Sequence, residues 1–345
     1  MIWMKAIVYY GPEDFRLDDV PTPEIGPYEI LVKVKACGLC STDVWKALYR
    51  GSKPGSVLGH EVSGEVAATG RGVRNLRVGE RVAVYHRAEC GKCYYCTHDQ
   101  QPLCSEYQEA SIFPGAFAEY IRAVPRIVQR SILRIPDELS HEEATLIEPT
   151  GCSVRAVSKC VVGQNDSVLV IGDGPMGLLN AQVSRAAGAS VVMLSGHHDR
   201  RVELSKRLGI DHSFNSKEVD IKEKLMELTD GRGADIVIVA VASTHAVSQS
   251  TGLVRKGGKI CVFGDFRDVP QPNLSLDLKL VLRDHIDLVG SWGCSTQNYR
   301  VAFSLVTSGK LKVKEMITHR FPLRKFEEAL KAFLNKECVK IVLNP

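Results

Sequence analysis

The segment SVLVIGDGPMG, residues 167–177, carries the pattern that decides the fold of this chain. An apolar run, VLVI, leads into a G-x-G-x-x-G turn, and the helical pattern LLNAQVSRAAG and a second apolar run, SVVMLS, follow. A strand, such a turn and a helix form the phosphate-binding part of a dinucleotide site, where backbone amides and the helix N-terminus face the pyrophosphate. We therefore predict that a dinucleotide coenzyme binds at Gly172, Gly174, Pro175, Met176 and Gly177.

The chain continues with short apolar strands and amphipathic helices up to about residue 293. The helical patterns RRVELSKRLG and DIKEKLMELT alternate with the strand patterns DHSFN, ADIVIVAVAS and KICVFGDF. This alternation is typical of right-handed βαβ units, whose parallel sheet is covered by helices on both faces. Residues 154–293 are therefore predicted to form a doubly wound α/β domain.

The first 153 residues have a different pattern, with short alternating segments separated by glycine-rich turns. The candidate strands are KAIVYY, EILVKVKA, EVSGEVAAT, RVAVY and FAEYIRAV. They predict a barrel-like unit built from β-strands. Two helical patterns and a last strand, VKIVLNP, follow residue 293 and could return to this unit. We therefore expect residues 1–153 and 294–345 to form one discontinuous domain.

Composition limits the classes of function. The 345 residues are 44% apolar and 24% charged, which is typical of a soluble globular protein long enough for two domains. The net charge of +4 is spread along the chain without a basic stripe, so we expect a small-molecule partner and no nucleic acid. No signal peptide is evident and the longest apolar run, IVIVAVA, is too short to span a bilayer, so we expect a cytoplasmic protein without a membrane partner.

Four of the eleven cysteines cluster within the segment 89–105. They are Cys90, Cys93, Cys96 and Cys104. Four thiolates can hold a zinc ion in a closed tetrahedral site, which leaves no position for a substrate. This site is therefore predicted to be structural, with free or oxidised thiols as the alternative.

A reactive metal would need other ligands. Cys40, His60, Glu61 and Glu148 are the candidates, because a cysteine, a histidine and a carboxylate can hold zinc with an open position. Each residue also has a simpler explanation. Cys40 could form a redox pair with Cys37, His60 could be a core histidine, and Glu148 could begin a helix.

The end of the second apolar run bears on the choice of coenzyme. NAD sites usually have an acidic residue there, but this chain has Gly196. Four basic or polar residues follow and could hold a 2′-phosphate, namely His197, His198, Arg200 and Arg201. We therefore expect NADP in preference to NAD. The alternative is a solvated loop in which Asp199 turns inward.

Seven motifs together resemble the zinc-dependent medium-chain dehydrogenase family, which includes alcohol, sorbitol and threonine dehydrogenases. They are CGLCSTD at 37–43, PGSVLGHEVSGEV at 54–66, VGERV at 78–82, the four-cysteine segment, GAFAEY at 115–120, IEPTG at 147–151 and IGDGPMG at 171–177. The resemblance implies a GroES-like β-barrel catalytic domain, a Rossmann domain and an active-site cleft at their junction. It also implies one catalytic and one structural zinc per chain.

The resemblance assigns roles to individual residues. Cys40 and His60 match zinc ligands, and Glu61 matches the third ligand, with Glu148 reaching the metal directly or through its water. Asp43 matches the residue that orients the histidine, and Thr42 matches the hydroxyl that receives the substrate proton. Many relatives have a histidine three residues later to complete the proton relay, but this chain has Trp45.

The resemblance therefore predicts an NADP-preferring, zinc-dependent dehydrogenase of secondary alcohols, in particular polyols, cyclitols or sugar-derived alcohols. A threonine-type or simple alcohol dehydrogenase is the nearest alternative, since Cys152 lies close to the place of the third ligand in the ethanol branch. A non-catalytic nucleotide-binding member is the alternative from another class. Relatives form dimers and tetramers, so we expect a homo-oligomer, with IDLVGSWG at 286–293 as a contact segment.

Overall fold

The computed structural model describes residues 2–49, 51–269 and 272–345. The chain divides into two compact units. The first unit comprises residues 1–148, 294–307 and 316–345, and the second comprises residues 149–293 and 308–315. Residues 149–153 and 308–315 thus belong to the second unit, whereas the predicted boundaries assigned them to the first.

The strands of the described residues are numbered in chain order. They are β1 (Trp3–Gly11), β2 (Asp14–Pro21), β3 (Ile30–Gly38), β4 (Ser56–Val57), β5 (Glu61–Thr69), β6 (Arg81–Tyr85), β7 (Tyr120–Ala123), β8 (Ile132–Arg134), β9 (Ser167–Ile171), β10 (Val191–Gly196), β11 (His212–Asn215), β12 (Ala234–Val239), β13 (Val254–Val262), β14 (Asp287–Gly290), β15 (Ile317–Pro322) and β16 (Lys340–Asn344).

The helices are numbered in the same way. They are α1 (Ser41–Leu48), α2 (Tyr94–Thr97), α3 (Pro125–Arg130), α4 (His141–Ala144), α5 (Ile147–Cys160), α6 (Pro175–Ala186), α7 (Asp199–Arg207), α8 (Ile221–Leu228), α9 (Thr244–Ser250), α10 (Leu278–Leu282), α11 (Thr296–Thr307) and α12 (Phe326–Leu334).

The first unit contains two sheets. The smaller has the order β2-β1-β4, and the larger has the order β15-β16-β3-β5-β6-β8, with β7 also paired to β3. The central strand β3 alternates as a half-buried strand should, because Ile30, Val32 and Val34 point into the core while Lys33 and Lys35 are more exposed. Phe117 and Phe326 pack against each other in the same core, with ring centroids 5.3 Å apart.

The C-terminal strand joins this larger sheet. In β16, Val342 and Leu343 pair with Gly38 and Cys37 at the end of β3. The last residues of the chain therefore lie beside the strand that leads into Cys40.

The second unit is built on one parallel sheet. Its strand order is β11-β10-β9-β12-β13-β14, and every neighbouring pair is parallel. Counted within the unit, this is the order 3-2-1-4-5-6 of a doubly wound sheet, which binds ligands at the carboxyl ends of the strands where the order reverses. The strand order reverses between β9 and β12, and the glycine-rich turn follows the carboxyl end of β9. Among the described residues no helix is both long and apolar enough to cross a membrane.

Candidate active site and metal centres

The antiparallel pairing of β3 with β5 brings three of the predicted zinc ligands together. Gly38, the last residue of β3, lies opposite Glu61, the first residue of β5. Cys40 follows β3 and His60 precedes β5, so one ligand atom from each of Cys40, His60 and Glu61 lies within 4.8 Å of the others. A thiolate, an imidazole and a carboxylate form a donor set that can bind zinc and leave a fourth position open.

Asp43 fixes the orientation of His60. The Asp43 carboxylate is 2% exposed and lies 3.1 Å from Nδ1 of the His60 ring. The backbone amides of Cys40 and Gly59 also donate hydrogen bonds to it. Burial would lower the pKa of His60, but the charges of Asp43 and Cys40 raise it well above its usual value. Because Asp43 contacts Nδ1, Nε2 is the ring nitrogen left for a metal.

Glu61 forms a buried ion pair with Lys340, the first residue of β16. Glu61 is 1% exposed and Lys340 is 3% exposed, and the Lys340 ammonium also donates a hydrogen bond to the carbonyl of Leu39 at 3.2 Å. Burial would lower the pKa of Lys340, but the Glu61 carboxylate raises it. A Cβ at position 38 would overlap the Glu61 carboxylate, so Gly38 provides the space for this pair.

Glu148 lies outside the group formed by Cys40, His60 and Glu61. It is 8% exposed at the start of α5, and its Oε1 lies 3.8 Å from Nδ1 of His86. The His86 ring packs edge-on against the His60 ring, with centroids 4.9 Å apart. Burial raises the pKa of Glu148 to about 7 and lowers the pKa of His86 well below its usual value. His86 thus contacts both the Glu148 carboxylate and the ring of His60.

Thr42 and Trp45 are both half-buried on α1, the helix that begins directly after Cys40. Residues three apart lie on the same face of a helix, so the indole of Trp45 shares a face with the Thr42 hydroxyl. The indole packs against the ring of Tyr49, with centroids 6.4 Å apart. Trp45 therefore provides an apolar surface where many relatives are expected to have a histidine.

The four cysteines of the segment 89–105 lie close together. One ligand atom from each of Cys90, Cys93, Cys96 and Cys104 lies within 4.8 Å of the others, and all four are free of disulfide bonds. The amides of Lys92 and Cys93 donate to Sγ of Cys90, at 3.5 and 3.4 Å. Hydrogen bonding from the Cys96 amide contributes most to lowering the pKa of Cys93 to about 7. Amide donors favour the thiolate form, which is the form that binds metal.

The glycine-rich turn between β9 and α6 has the shape expected of a phosphate-binding turn. Gly172 has φ of +124°, a conformation that other residues rarely adopt. Gly174 opens into free space, where no atom lies within 4 Å of a hypothetical Cβ. A Cβ at Gly177 would overlap the carbonyl of Gly172, so this glycine allows α6, which starts with Pro175 and Met176, to approach the strand closely.

The predicted 2′-phosphate site contains a carboxylate. The side chain of Asp173 accepts hydrogen bonds from the amides of His197 and His198, at 2.7 and 2.8 Å. Nδ1 of His198 lies 3.0 Å from the same oxygen, and Arg201 lies 3.5 Å from the other. Gly196 is buried directly beneath this carboxylate, whereas the side chains of His197 and Arg200 are exposed.

Comparisons with known proteins decide the family. Residues 26–137 match the alcohol dehydrogenase GroES-like domain, and residues 175–308 match the zinc-binding dehydrogenase domain. A sorbitol dehydrogenase of Halalkalibacterium halodurans is 34% identical over 99% of both chains. The chain is a zinc-dependent medium-chain dehydrogenase. The expected fold class, a GroES-like domain with a Rossmann-type parallel sheet, is thereby confirmed.

Two further relatives extend this comparison. An L-threonine 3-dehydrogenase of Pyrococcus abyssi is 34% identical to this chain, over 98% of this chain and 97% of the relative. A zinc-binding dehydrogenase from Sinorhizobium meliloti, solved in a complex with NADP, has a TM-score of 0.90 and 27% identity, with complete coverage of both chains. The relatives support an alcohol or polyol dehydrogenase.

Both donor sets of the dehydrogenase fit zinc. Four convergent thiols with amide donors fit a closed site that contributes to folding. Cys40, His60 and Glu61 fit an open site, because three protein ligands leave a position for substrate or water.

Sequence reasoning missed Lys340, His86 and the role of Asp173. His86 belongs to no motif that we interpreted. Lys340 lies in VKIVLNP, which we interpreted only as a strand, and the folded sheet brings it to Glu61. Asp173 was visible as a charged residue within the glycine-rich turn. That charge was the one available signal, since a residue at this position of the turn does not need to be acidic.

We predict that Cys93→Ser and Cys40→Ser have different consequences, each serving as the control for the other. Cys93→Ser should lower the melting temperature by about 5–10 °C, because it removes a ligand whose binding energy contributes to folding. Cys40→Ser should abolish turnover with a much smaller change in melting temperature. Calorimetry, zinc content and activity of both variants test this. A Cys93→Ser protein that melts normally but has no activity would show that the two sites are interchanged.

We also predict that Lys340→Met destabilises the metal-free protein by about 3–5 kcal/mol, because it leaves the buried Glu61 carboxylate without a counter-charge. Adding Glu61→Gln should recover part of this loss. The matched control is Lys325→Met, which breaks an exposed pair with Glu328 and should cost less than about 1 kcal/mol. Denaturant unfolding measures all three variants, and equal losses for Lys340→Met and Lys325→Met would exclude a stabilising role for the buried pair.

Proposed function

We propose that the chain oxidises the secondary hydroxyl of a polyol, cyclitol or sugar-derived alcohol, or catalyses the reverse reduction, with a nicotinamide coenzyme. The observation that carries this proposal is the cluster of Cys40, His60 and Glu61 within 4.8 Å, with Asp43 on the outer nitrogen of His60. A carboxylate in place of a second thiolate resembles the polyol branch of the family. The relative named sorbitol dehydrogenase supports the same substrate class.

The chain's own residues would divide the work of this reaction. A bound zinc would polarise the alcohol oxygen and lower its pKa, while the nicotinamide would accept the hydride. Cys40, His60 and Glu61 would hold this zinc ion, and the four-cysteine segment 89–105 would hold a second one. Asp43 would keep His60 in the orientation that binds metal. Thr42 would receive the proton of the alcohol through its hydroxyl.

Glu148 would take part as an exchanging carboxylate. Burial raises the pKa of this carboxyl to about 7, which favours the protonated form more than in an exposed glutamate. It lies against His86, and Trp45 supplies no titratable group. We therefore propose that Glu148, rather than a residue at position 45, serves either as a replaceable ligand or as the next proton acceptor.

The two alternatives from the sequence analysis differ in their support. The relative named L-threonine 3-dehydrogenase, at 34% identity, favours an amino alcohol as the alternative substrate, beside a simple alcohol. A non-catalytic nucleotide-binding role is the alternative from another class, and the retention of a complete ligand set argues against it.

The coenzyme is a nicotinamide dinucleotide, and the choice between its two forms has observations on each side. The sequence prediction of NADP is supported by the relative from S. meliloti, which is bound to NADP. Asp173 follows β9, and its carboxylate opposes NADP because it reaches the amides after β10 and brings negative charge to the place of a 2′-phosphate.

The edge of the second unit supports the prediction of a homo-oligomer. Leu278 and Leu282 on α10 are 74% and 76% exposed, and Trp292, two residues after the edge strand β14, is 57% exposed. Exposed apolar groups of this kind are common at subunit interfaces. A dimer or tetramer formed through this edge stays a prediction that the mass in solution tests.

A substrate panel tests the proposed function. Polyols, cyclitols, L-threonine and simple alcohols are assayed with NAD and with NADP, before and after complete removal of zinc. We expect a polyol or cyclitol to give the highest kcat/KM, turnover to stop when zinc is removed, and zinc to restore it. Turnover that survives complete zinc removal would contradict the mechanism, and a preference for L-threonine would favour the alternative.

A further inference from the structure

The carboxylate of Asp173 occupies a ready-made anion site in the second unit. Two backbone amides, those of His197 and His198, donate to its Oδ2 at 2.7 and 2.8 Å. The His198 ring adds a contact at 3.0 Å, and the Arg201 guanidinium lies 3.5 Å from Oδ1. Asp173 is 6% exposed, so this is an internal arrangement rather than a surface salt bridge. The site therefore already contains an anion, which the chain itself supplies.

The Asp173 group stays ionised in this arrangement. Burial would raise its pKa, but the amides of His197 and His198 and the His198 ring lower it below the usual value. An ionised carboxylate only accepts hydrogen bonds, and its two oxygens offer about four acceptor positions. Oδ2 accepts from the two amides, and Oδ1 is contacted by the His198 ring at 3.1 Å and by the Arg201 guanidinium at 3.5 Å.

The Asp173 carboxylate explains why position 196 is a glycine. A Cβ at position 196 would lie 2.5 Å from both Cβ and Oδ2 of Asp173, closer than real side chains approach. The absence of a side chain at the end of β10 thus makes room for a carboxylate that arrives from the end of β9. An acidic side chain can stand at position 173 or at position 196, but the space does not hold both.

We infer that Asp173 is the residue that selects the coenzyme, and that the chain takes NAD in preference to NADP. This rests on the proposed function, because it assumes that the glycine-rich turn binds a nicotinamide dinucleotide. The adenosine ribose lies at the carboxyl end of the second strand in such sites, where an acidic residue accepts hydrogen bonds from its hydroxyls. Asp173 supplies that acceptor from the neighbouring loop.

NADP meets two obstacles at the same place. Its 2′-phosphate carries negative charge, which the Asp173 carboxylate repels. The amides of His197 and His198, which would otherwise hold the phosphate, already donate to Asp173. The basic residues that favoured NADP in the sequence include His198 and Arg201, and both are directed at this carboxylate.

Binding measurements on the intact protein test the inference without relying on turnover. Isothermal titration calorimetry gives Kd for NAD and for NADP with the wild type, Asp173→Ala and Asp173→Asn. The wild type should bind NAD at least about tenfold more tightly, because the Asp173 carboxylate accepts hydrogen bonds from the ribose hydroxyls and repels a 2′-phosphate. In both variants, binding of NADP relative to NAD should strengthen by a factor of about ten or more. Asp173→Asn is the sharper variant, because it removes the charge with little change in side-chain shape.

A double variant moves the charge back to the strand end. Asp173→Ala with Gly196→Asp should restore the preference for NAD, whereas Gly196→Asp alone should be destabilised by the overlap with Asp173. A merely structural role for Asp173 predicts no such restoration.

The outcomes separate this inference from the proposed function. A wild type that binds neither coenzyme overturns the proposed function and the inference together. A wild type that binds NADP as tightly as NAD, or more tightly, overturns the inference and leaves the proposed function in place. An unchanged ratio in Asp173→Asn also overturns it.

Discussion

The register between β3 and β5 is the constraint on which the candidate active site depends. Because Gly38 lies opposite Glu61, the turn after β3 and the turn before β5 meet at the same end of the sheet. A shift by one residue would turn every side chain of β5 to the other face and carry Glu61 away from Cys40. The C-terminal strand β16 pairs with the same end of β3 and brings Lys340 to Glu61. Three strands from distant parts of the chain thus meet at one carboxylate.

The two predicted metal sites would use zinc in different ways. The lobe of Cys90, Cys93, Cys96 and Cys104 has few regular elements, so metal binding would supply the free energy that a hydrophobic core supplies elsewhere. The cluster at Cys40 is embedded in a packed sheet, and its neighbours Asp43 and Lys340 are almost fully buried. Its geometry is therefore held by the fold before any metal binds, as a reactive site requires.

The sequence predicted those parts of the molecule that depend on local pattern. The two types of sheet, the glycine-rich turn and the two groups of ligands followed from periodicity, from spacing and from the family resemblance. Lys340 could not be found in this way, because its partner is fixed by long-range strand pairing. Asp173 was missed for another reason: its neighbours in sequence do not show that its side chain reaches the amides after β10. Charge compensation between distant residues has no local signature.

X-ray absorption at the zinc edge of the purified protein tests the central claim most directly, namely that Cys40, His60 and Glu61 hold a second, open zinc site. The account predicts a zinc environment that combines four-sulfur ligation with a site of one sulfur and lighter nitrogen or oxygen ligands. In the Cys40→Ser variant, only the four-sulfur signal should remain. Zinc ligated only by sulfur in the metal-replete wild type would contradict the account.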